Sequence, residues 1–238
     1  MLAELIRANQ PCVALTGAGV STESGLPDFR SAGGIWAEYD PYEVASIEAF
    51  RHDPERVWEF YALRLGVLAD AAPNPAHLAL AELEARGLVQ AVITQNVDGL
   101  HGAAGSRDVV EVHGSIAGAV CLACGRRQAH VAKLLPLPRC GGCSAILKPG
   151  VVMFGELLPV ESIDRATALA QNAALLLVVG TSLEVWPVAG LPEETVRHGG
   201  KLAIVNRDPT PADARADLVV HGSAADVLAA CTTSLGPR

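Results

Sequence analysis

The sequence predicts an α/β protein: a doubly wound parallel sheet with a smaller metal-binding plus helical module. Three observations carry this. Short apolar runs alternate with helix-like segments along most of the 238 residues. The runs are rich in Val, Ile and Leu without clean alternation, as expected of strands covered on both faces. Polar or glycine-rich motifs follow several runs directly, at the strand ends where open parallel sheets bind ligands.

The candidate strands are residues 12–16 (CVALT), 91–94 (AVIT), 109–112 (VVEV), 175–179 (LLLVV), 202–205 (LAIV) and 217–220 (DLVV). Asn74-Pro75 opens a helix, with Asn as cap and Pro at the first helical position, and Gly87 closes it. Asp53-Pro54 opens another by the same logic. Residues 31–72 hold aromatic and helical material, and residues 115–150 hold four cysteines with little regular pattern. Both read as insertions forming the smaller module. The expected division is 1–30, 73–114 and 151–238 for the sheet domain, with a helical insert at 31–72 and a metal-binding insert at 115–150. Thr232 to Arg238 are expected to fray.

Half of the residues are hydrophobic, enough for a sizeable core, and the net charge of −8 argues against a nucleic-acid-gripping protein. No window approaches a membrane span, and the first residues, with Glu4 among them, lack a signal-peptide core. The expectation is a cytoplasmic protein with no membrane or direct nucleic-acid partner. Six cysteines there suit metal or redox chemistry better than disulfides. Cys121, Cys124, Cys140 and Cys143 form two CxxC pairs separated by residues 125–139, a metal-ligand spacing. Four thiolates make a closed tetrahedral shell that suits Zn²⁺ in a structural role, with no open position for water. Cys12 and Cys231 fall outside that pattern and read as small buried hydrophobes.

After the first strand comes Gly17 to Arg30, GAGVSTESGLPDFR, glycine- and hydroxyl-rich as a phosphate-wrapping turn would be. Gly17-Ala18-Gly19 alone is equally an ordinary tight turn. Thr94, Gln95, Asn96 and Asp98 follow the second strand, either capping a helix or holding polar ligand groups. His113 follows the third, where an imidazole can act as general base. Gly180-Thr181-Ser182 reads as a second phosphate turn, and Asn206 as a partner for a ribose.

Together these segments resemble the sirtuin family of NAD-dependent protein-lysine deacylases. GAGVSTESGLPDFR, TQNVDGLH, His113-Gly114, the CxxC pairs, VVMFGE, GTSLEVWP and Val205-Asn206 occur in the family's order. The resemblance implies a Rossmann-like NAD domain, a zinc-plus-helical module, and a cleft between them where NAD meets an acyl-lysine peptide. It places Gly17, Ala18, Gly19, Val20, Ser21, Asp28, Phe29 and Arg30 in the NAD loop. Gln95, Asn96 and Asp98 fall around the nicotinamide and its ribose. Gly180, Thr181, Ser182, Asn206 and Ala224 fall along the adenosine half, and His113 is the catalytic base. Val152, Met153, Phe154, Gly155 and Glu156 are expected to pair with the substrate as an added strand. The implied products are nicotinamide, free lysine and 2′-O-acyl-ADP-ribose.

The acyl group has its own signal. Tyr61 and Arg64 share a helix face with Val57, Leu65 and Leu68, so Arg64 points inward. From periodicity alone, such an arginine snorkels or pairs with Glu59 or Asp70. RVWEFYALR, however, resembles the class III sirtuins, whose Tyr-x-x-Arg pair recognises succinyl, malonyl or glutaryl groups, with Ala45 widening the pocket. The resemblance therefore implies a desuccinylase or demalonylase with weaker deacetylase activity. A plain deacetylase and a protein mono-ADP-ribosyltransferase are the alternatives. A nicotinamide oxidoreductase lacks its expected acidic residue about 20 positions beyond the glycines.

Overall fold

The computed structural model describes residues 1–29, 31, 33–129 and 136–236. Its strands are β1 (Cys12–Thr16), β2 (Ala91–Thr94), β3 (Val109–Glu111), β4 (Gly114–Cys121), β5 (Arg127–Ala129), β6 (Leu147–Val151), β7 (Leu175–Val179), β8 (Lys201–Asn206) and β9 (Leu218–His221). Its helices are α1 (Leu2–Ala8), α2 (Pro41–Val44), α3 (Ile47–His52), α4 (Pro54–Ala69), α5 (Pro75–Ala85), α6 (Leu100–Ala103), α7 (Val160–Asn172), α8 (Leu191–Arg197) and α9 (Ala224–Ser234).

Six strands form one sheet in the order β3-β2-β1-β7-β8-β9, every neighbouring pair parallel. Alternate side chains of β1 go to opposite faces, as strand geometry requires. Cys12 and Ala14 pack with Leu2, Ile6, Leu80, Leu83 and Leu228 from α1, α5 and α9. Val13 and Leu15 pack with Ala166, Ala170 and Leu191 from α7 and α8. Cys12 and Cys231 are buried, as expected.

The second module has its own core. Val57, Trp58, Phe60 and Tyr61 of α4 pack against Ile116, Leu147 and Met153. Asp53 caps α4 by accepting from the Arg56 amide, with Pro54 at its first turn. The Trp58 indole donates to the Leu147 carbonyl at 2.8 Å, tying α4 to β6.

The structure corrects three expectations. The 115–150 segment has more order than its pattern suggests: β5-β4-β6 form a three-stranded antiparallel sheet. A register shift between Gly114 and Ala119 breaks the period-two signal that would have revealed it. β3 stops one residue short of the expected 112, and β9 is displaced by one residue, running to His221, which pairs with Asn206. Finally, the chain does not fray from Thr232. Leu235 is buried, and Arg7 and Arg86 donate to the Leu235 and Gly236 carbonyls at 2.7 and 2.8 Å.

Candidate active site

The parallel register brings Thr16, Thr94 and Val179 side by side at one sheet edge. The turns that leave those strands interlock. Gly19 donates to the Gly180 carbonyl at 2.8 Å, and Gly180 sits at φ +60°. A Cβ on Gly180 would lie 2.3 Å from the Val20 nitrogen, and one on Gly17 would lie 2.7 Å from Thr181 Cβ. Only glycine lets these two turns approach so closely.

Beyond them opens a cavity of about 730 Å³ between the large sheet and the second module. Its lining includes Gly17, Ala18, Gly19, Ser21, Asp28, Phe29, Gln95, Asn96, Asp98, His113, Gly180, Thr181, Ser182 and Asn206. Ala45, Tyr61, Arg64 and the stretch Val152 to Glu156 form the opposite wall. Two expected cofactor residues lie elsewhere. Val20 is buried in the core, and Ala224 starts α9 and packs into the same core. Arg30 lies outside the described residues.

Hydrogen bonds fix the polar groups. The Asn96 amide donates to the Gly17 carbonyl at 3.1 Å and to Ser21 Oγ at 3.0 Å, and Ser21 donates to Asp98 at 2.8 Å. Gln95 donates to Thr181 Oγ1 at 2.9 Å, bridging the turns that follow β2 and β7. His113 Nδ1 lies 2.9 Å from the Gln95 carbonyl. A carbonyl only accepts, so Nδ1 carries the proton and Nε2 keeps its lone pair. Burial pushes the His113 pKa below its ordinary value, only partly offset by that hydrogen bond.

Beneath this layer lie residues the sequence reading passed over. His77 closes the α5 capping box through Nδ1, which accepts from the Asn74 amide at 3.3 Å, and its Nε2 reaches Ser21 Oγ at 3.4 Å. His101 Nε2 lies 2.9 Å from Thr16 Oγ1, which donates to Thr94 Oγ1 at 2.9 Å. Thr94 Oγ1 in turn accepts the Asn96 backbone amide at 3.1 Å. Asn74-Pro75 was legible as a helix start, but nothing in its spacing showed His77 turned toward Ser21. Glu184, Val185 and Trp186 also line the cavity; they belong to the GTSLEVWP segment, of which only Gly180, Thr181 and Ser182 were expected at the site.

Arg64 makes no ion pair among the described residues, with Glu59 or Asp70 or any other carboxylate. Its guanidinium carbon lies 5.1 Å from the Phe29 ring centroid and 6.0 Å from that of Phe60. Burial lowers its pKa, while Tyr61 and Asp98 are the groups that favour its charge. Tyr61 is itself buried, which raises its phenol pKa. A partly desolvated cation beside a buried hydroxyl, in the wall that also holds Ala45, has the chemistry to pair with an anion.

The 152–156 wall is already heavily bonded. Val152 donates to the His113 carbonyl at 2.8 Å, Phe154 to Ala45 at 2.9 Å, and Glu156 to Met153 at 3.0 Å. Met153 donates to the Glu156 carboxylate at 2.9 Å. Strand addition along the whole segment is thereby narrowed: the Gly155 amide alone of these five has no partner among the described residues.

The four expected metal ligands converge, with all four sulfurs within 4.8 Å of one another. Cys121 and Cys143 Sγ lie 3.4 Å apart, and Cys124 lies 3.6 and 3.7 Å from Cys140 and Cys143. Tetrahedral Zn–S bonds of about 2.3 Å imply sulfur separations near 3.8 Å, so the donor set fits Zn²⁺. Amides of Gly142 and Cys143 lower the Cys140 pKa, whereas Cys143, sharing protons with its neighbouring thiols, is raised.

Interlocked glycine turns beside an imidazole acceptor place the chain among nucleotide-binding α/β proteins. Comparison with known proteins narrows that class. The Sir2 family model matches residues 17–187, and the chain belongs to that family. It is 46% identical over 232 residues to an NAD-dependent protein deacetylase of Caldivirga maquilingensis, covering 95% of this chain and 89% of that one. It is 44% identical over 234 residues to an NAD-dependent protein deacylase of Pyrococcus furiosus, covering 95% and 94%. Among solved structures, a Sir2 homologue–NAD complex superposes with TM-score 0.93 at 43% identity, covering 98% of this chain and 92% of that one. A Sir2–p53 peptide–NAD⁺ complex gives TM-score 0.90 at 38% identity, covering 99% and 97%. No helix among the described residues is long and apolar enough to cross a membrane.

Proposed function

We propose that this chain removes acyl groups from protein lysines with consumption of NAD, and that it prefers succinyl and malonyl groups to acetyl. The NAD-dependent deacylase activity rests on family membership, on relatives of that name, and on a cavity that matches the chemistry. NAD would lie along Gly17, Ala18, Gly19, Ser21, Asp28, Phe29, Gln95, Asn96, Asp98, Gly180 to Ser182 and Asn206. When bound, it supplies a ribose carbon whose nicotinamide can be displaced.

The chain's own residues do the rest. The glycine amides of the two turns are used in locking them together, and the pyrophosphate would lie on the amides beside them, of Ala18, Thr181 and Ser182. Asn96 and Asp98, locked by Ser21, orient the ribose. His113 Nε2 takes a ribose hydroxyl proton, the role a neutral buried imidazole suits near pH 7. The acyl-lysine peptide lies along Gly155, with its acyl chain toward Ala45, Tyr61 and Arg64. Zinc, in a closed thiolate shell, holds the second module together and takes no part in the reaction.

Arg64 carries the acyl preference: a half-buried guanidinium without a carboxylate partner among the described residues, at the wall of the substrate cavity. A succinyl or malonyl carboxylate supplies that partner, with Tyr61 adding a hydrogen bond. The test is catalytic efficiency on succinyl- and acetyl-lysine versions of one peptide, with wild type and Arg64→Met. The variant should lose roughly 10- to 100-fold on the succinyl peptide, as expected for losing a charged hydrogen bond of about 1.5–3 kcal/mol. A variant that keeps the succinyl preference would refute the pocket assignment. Mass spectrometry of the products separates acyl-ADP-ribose from ADP-ribosylated protein, the mark of a transferase.

A further inference from the structure

Lys148 is an unexpected residue to find inside the protein. It sits in β6 beside Pro149 and is only 3% exposed. Lysines are almost never this buried without a partner. Its ammonium has three hydrogens, and three oxygens receive them: Pro149 O at 3.0 Å, Val151 O at 2.5 Å and Glu156 Oε2 at 2.9 Å. The same Glu156 oxygen accepts the Met153 amide.

These bonds close a ring around residues 149–156. One side begins on β6, inside the second module. The other ends on Glu156, at the wall of the substrate cavity. Around that ring the amides of Val152, Met153, Phe154 and Glu156 are all consumed. Gly155, at φ +85°, is the exception.

We infer that Lys148 is a positioning residue: paired with Glu156, it holds the 151–156 segment in the shape that leaves the Gly155 amide open to an acyl-lysine peptide. Lys148 does not line the cavity, so it acts through the segment it braces. Glu156 then serves the substrate wall by shaping it, with its carboxylate turned to Lys148 and Met153. An apolar residue at 148 would strip Glu156 of its counter-charge and Val151 of its donor, and the loop would relax. The inference rests on the deacylase reading for the identity of the peptide.

The experiment measures KM for an acyl-lysine peptide and for NAD separately, with peptide affinity also read by fluorescence anisotropy in the presence of ADP-ribose. Lys148→Met should raise the peptide KM about 10-fold and leave the NAD KM within about two-fold, the loss of one charge-assisted contact. Glu156→Gln takes the counter-charge from the same buried pair, so its peptide KM should rise in the same direction, with the NAD KM again within about two-fold. Removing one partner of a buried pair destabilises, whereas removing both relieves the stranded charge. If Lys148→Met is too unstable to purify, Lys148→Met/Glu156→Leu should recover the melting temperature but retain the raised peptide KM. A folded Lys148→Met or double variant with wild-type peptide KM would overturn the inference, as would peptide and NAD constants rising together. A wild-type protein that binds the peptide without turnover sinks the proposed activity, and the anisotropy series still decides the role of Lys148. If wild type does not bind the peptide, both readings fail.

Discussion

His113 donates from Nδ1 to the carbonyl of Gln95 at 2.9 Å, and this one bond decides which nitrogen is available to a substrate. Gln95 belongs to the turn after β2, so the base is aligned by the same segment that carries Asn96 and Asp98. His113→Ala should therefore lower kcat by about 10²- to 10⁴-fold, the usual contribution of a positioned base, with NAD affinity nearly unchanged by calorimetry.

The pH profile follows from the same environment. Burial lowers the His113 pKa from 6.5, so the neutral base persists to lower pH than a free imidazole would allow. kcat/KM should be flat through neutrality and decline on acidification only below 6.5. A rate limb assigned to this histidine and centred above 6.5 would contradict the burial.

His101 links pH to stability. It is 2% exposed, and burial, with His77 beside it, depresses its pKa to about 3. The unfolded chain takes up a proton near 6.5 that the folded chain refuses down to about 3. Stability is thus full above 6.5 and declines as pH falls from there, by at most about 1.4 kcal/mol per pH unit for one histidine. Urea midpoints at pH 7 and pH 5 should differ accordingly, and His101→Gln should shrink that difference. An unchanged difference would place the titration elsewhere.

Gly180→Ala tests the interlocked turns. The left-handed backbone costs an alanine about 1–3 kcal/mol, before the 2.3 Å clash with Val20 is counted. A drop in melting temperature of at least several degrees is expected, with a raised NAD KM. A variant as stable as wild type would show that the two turns can separate freely.

Metal removal should act on the second module. Chelation, or Cys143→Ala, should abolish binding of about one zinc per chain by elemental analysis and lower the melting temperature. Activity should fall with the folded fraction. Full activity in a zinc-free, thermally unchanged protein would exclude a structural role.

Much of this was readable because it was written in spacing. The CxxC pairs place four sulfurs together whatever lies between them. The parallel strands are continuous apolar runs, and the motifs after them meet because the sheet aligns their ends. The inward turn of Arg64 was legible from its helix face, though its lack of a carboxylate partner was not. Residues missed are those whose role contradicts their type. Lys148 reads as a surface residue until three carbonyl and carboxylate oxygens are found around it. His77 and His101 reach the site through the hydroxyls of Ser21 and Thr16, far away in the chain, a relation with no sequence period. Val20 and Ala224 belong to motif segments, but their side chains fill the core.

β6 joins two places that chemistry would keep apart. It begins at Leu147, just beyond the knuckle of Cys140 and Cys143, and ends at Val151 in the cavity lining. At about 3.3 Å per residue, that makes it a strut roughly 13 Å long. A metal held by the four thiolates would thus sit beyond the far end of β6 from the wall against which a peptide would lie. Oxidation of the thiolates would therefore reach the enzyme as a mechanical fault: a slackened strut, an untensioned wall, and a protein that still grips its nucleotide while losing hold of its substrate.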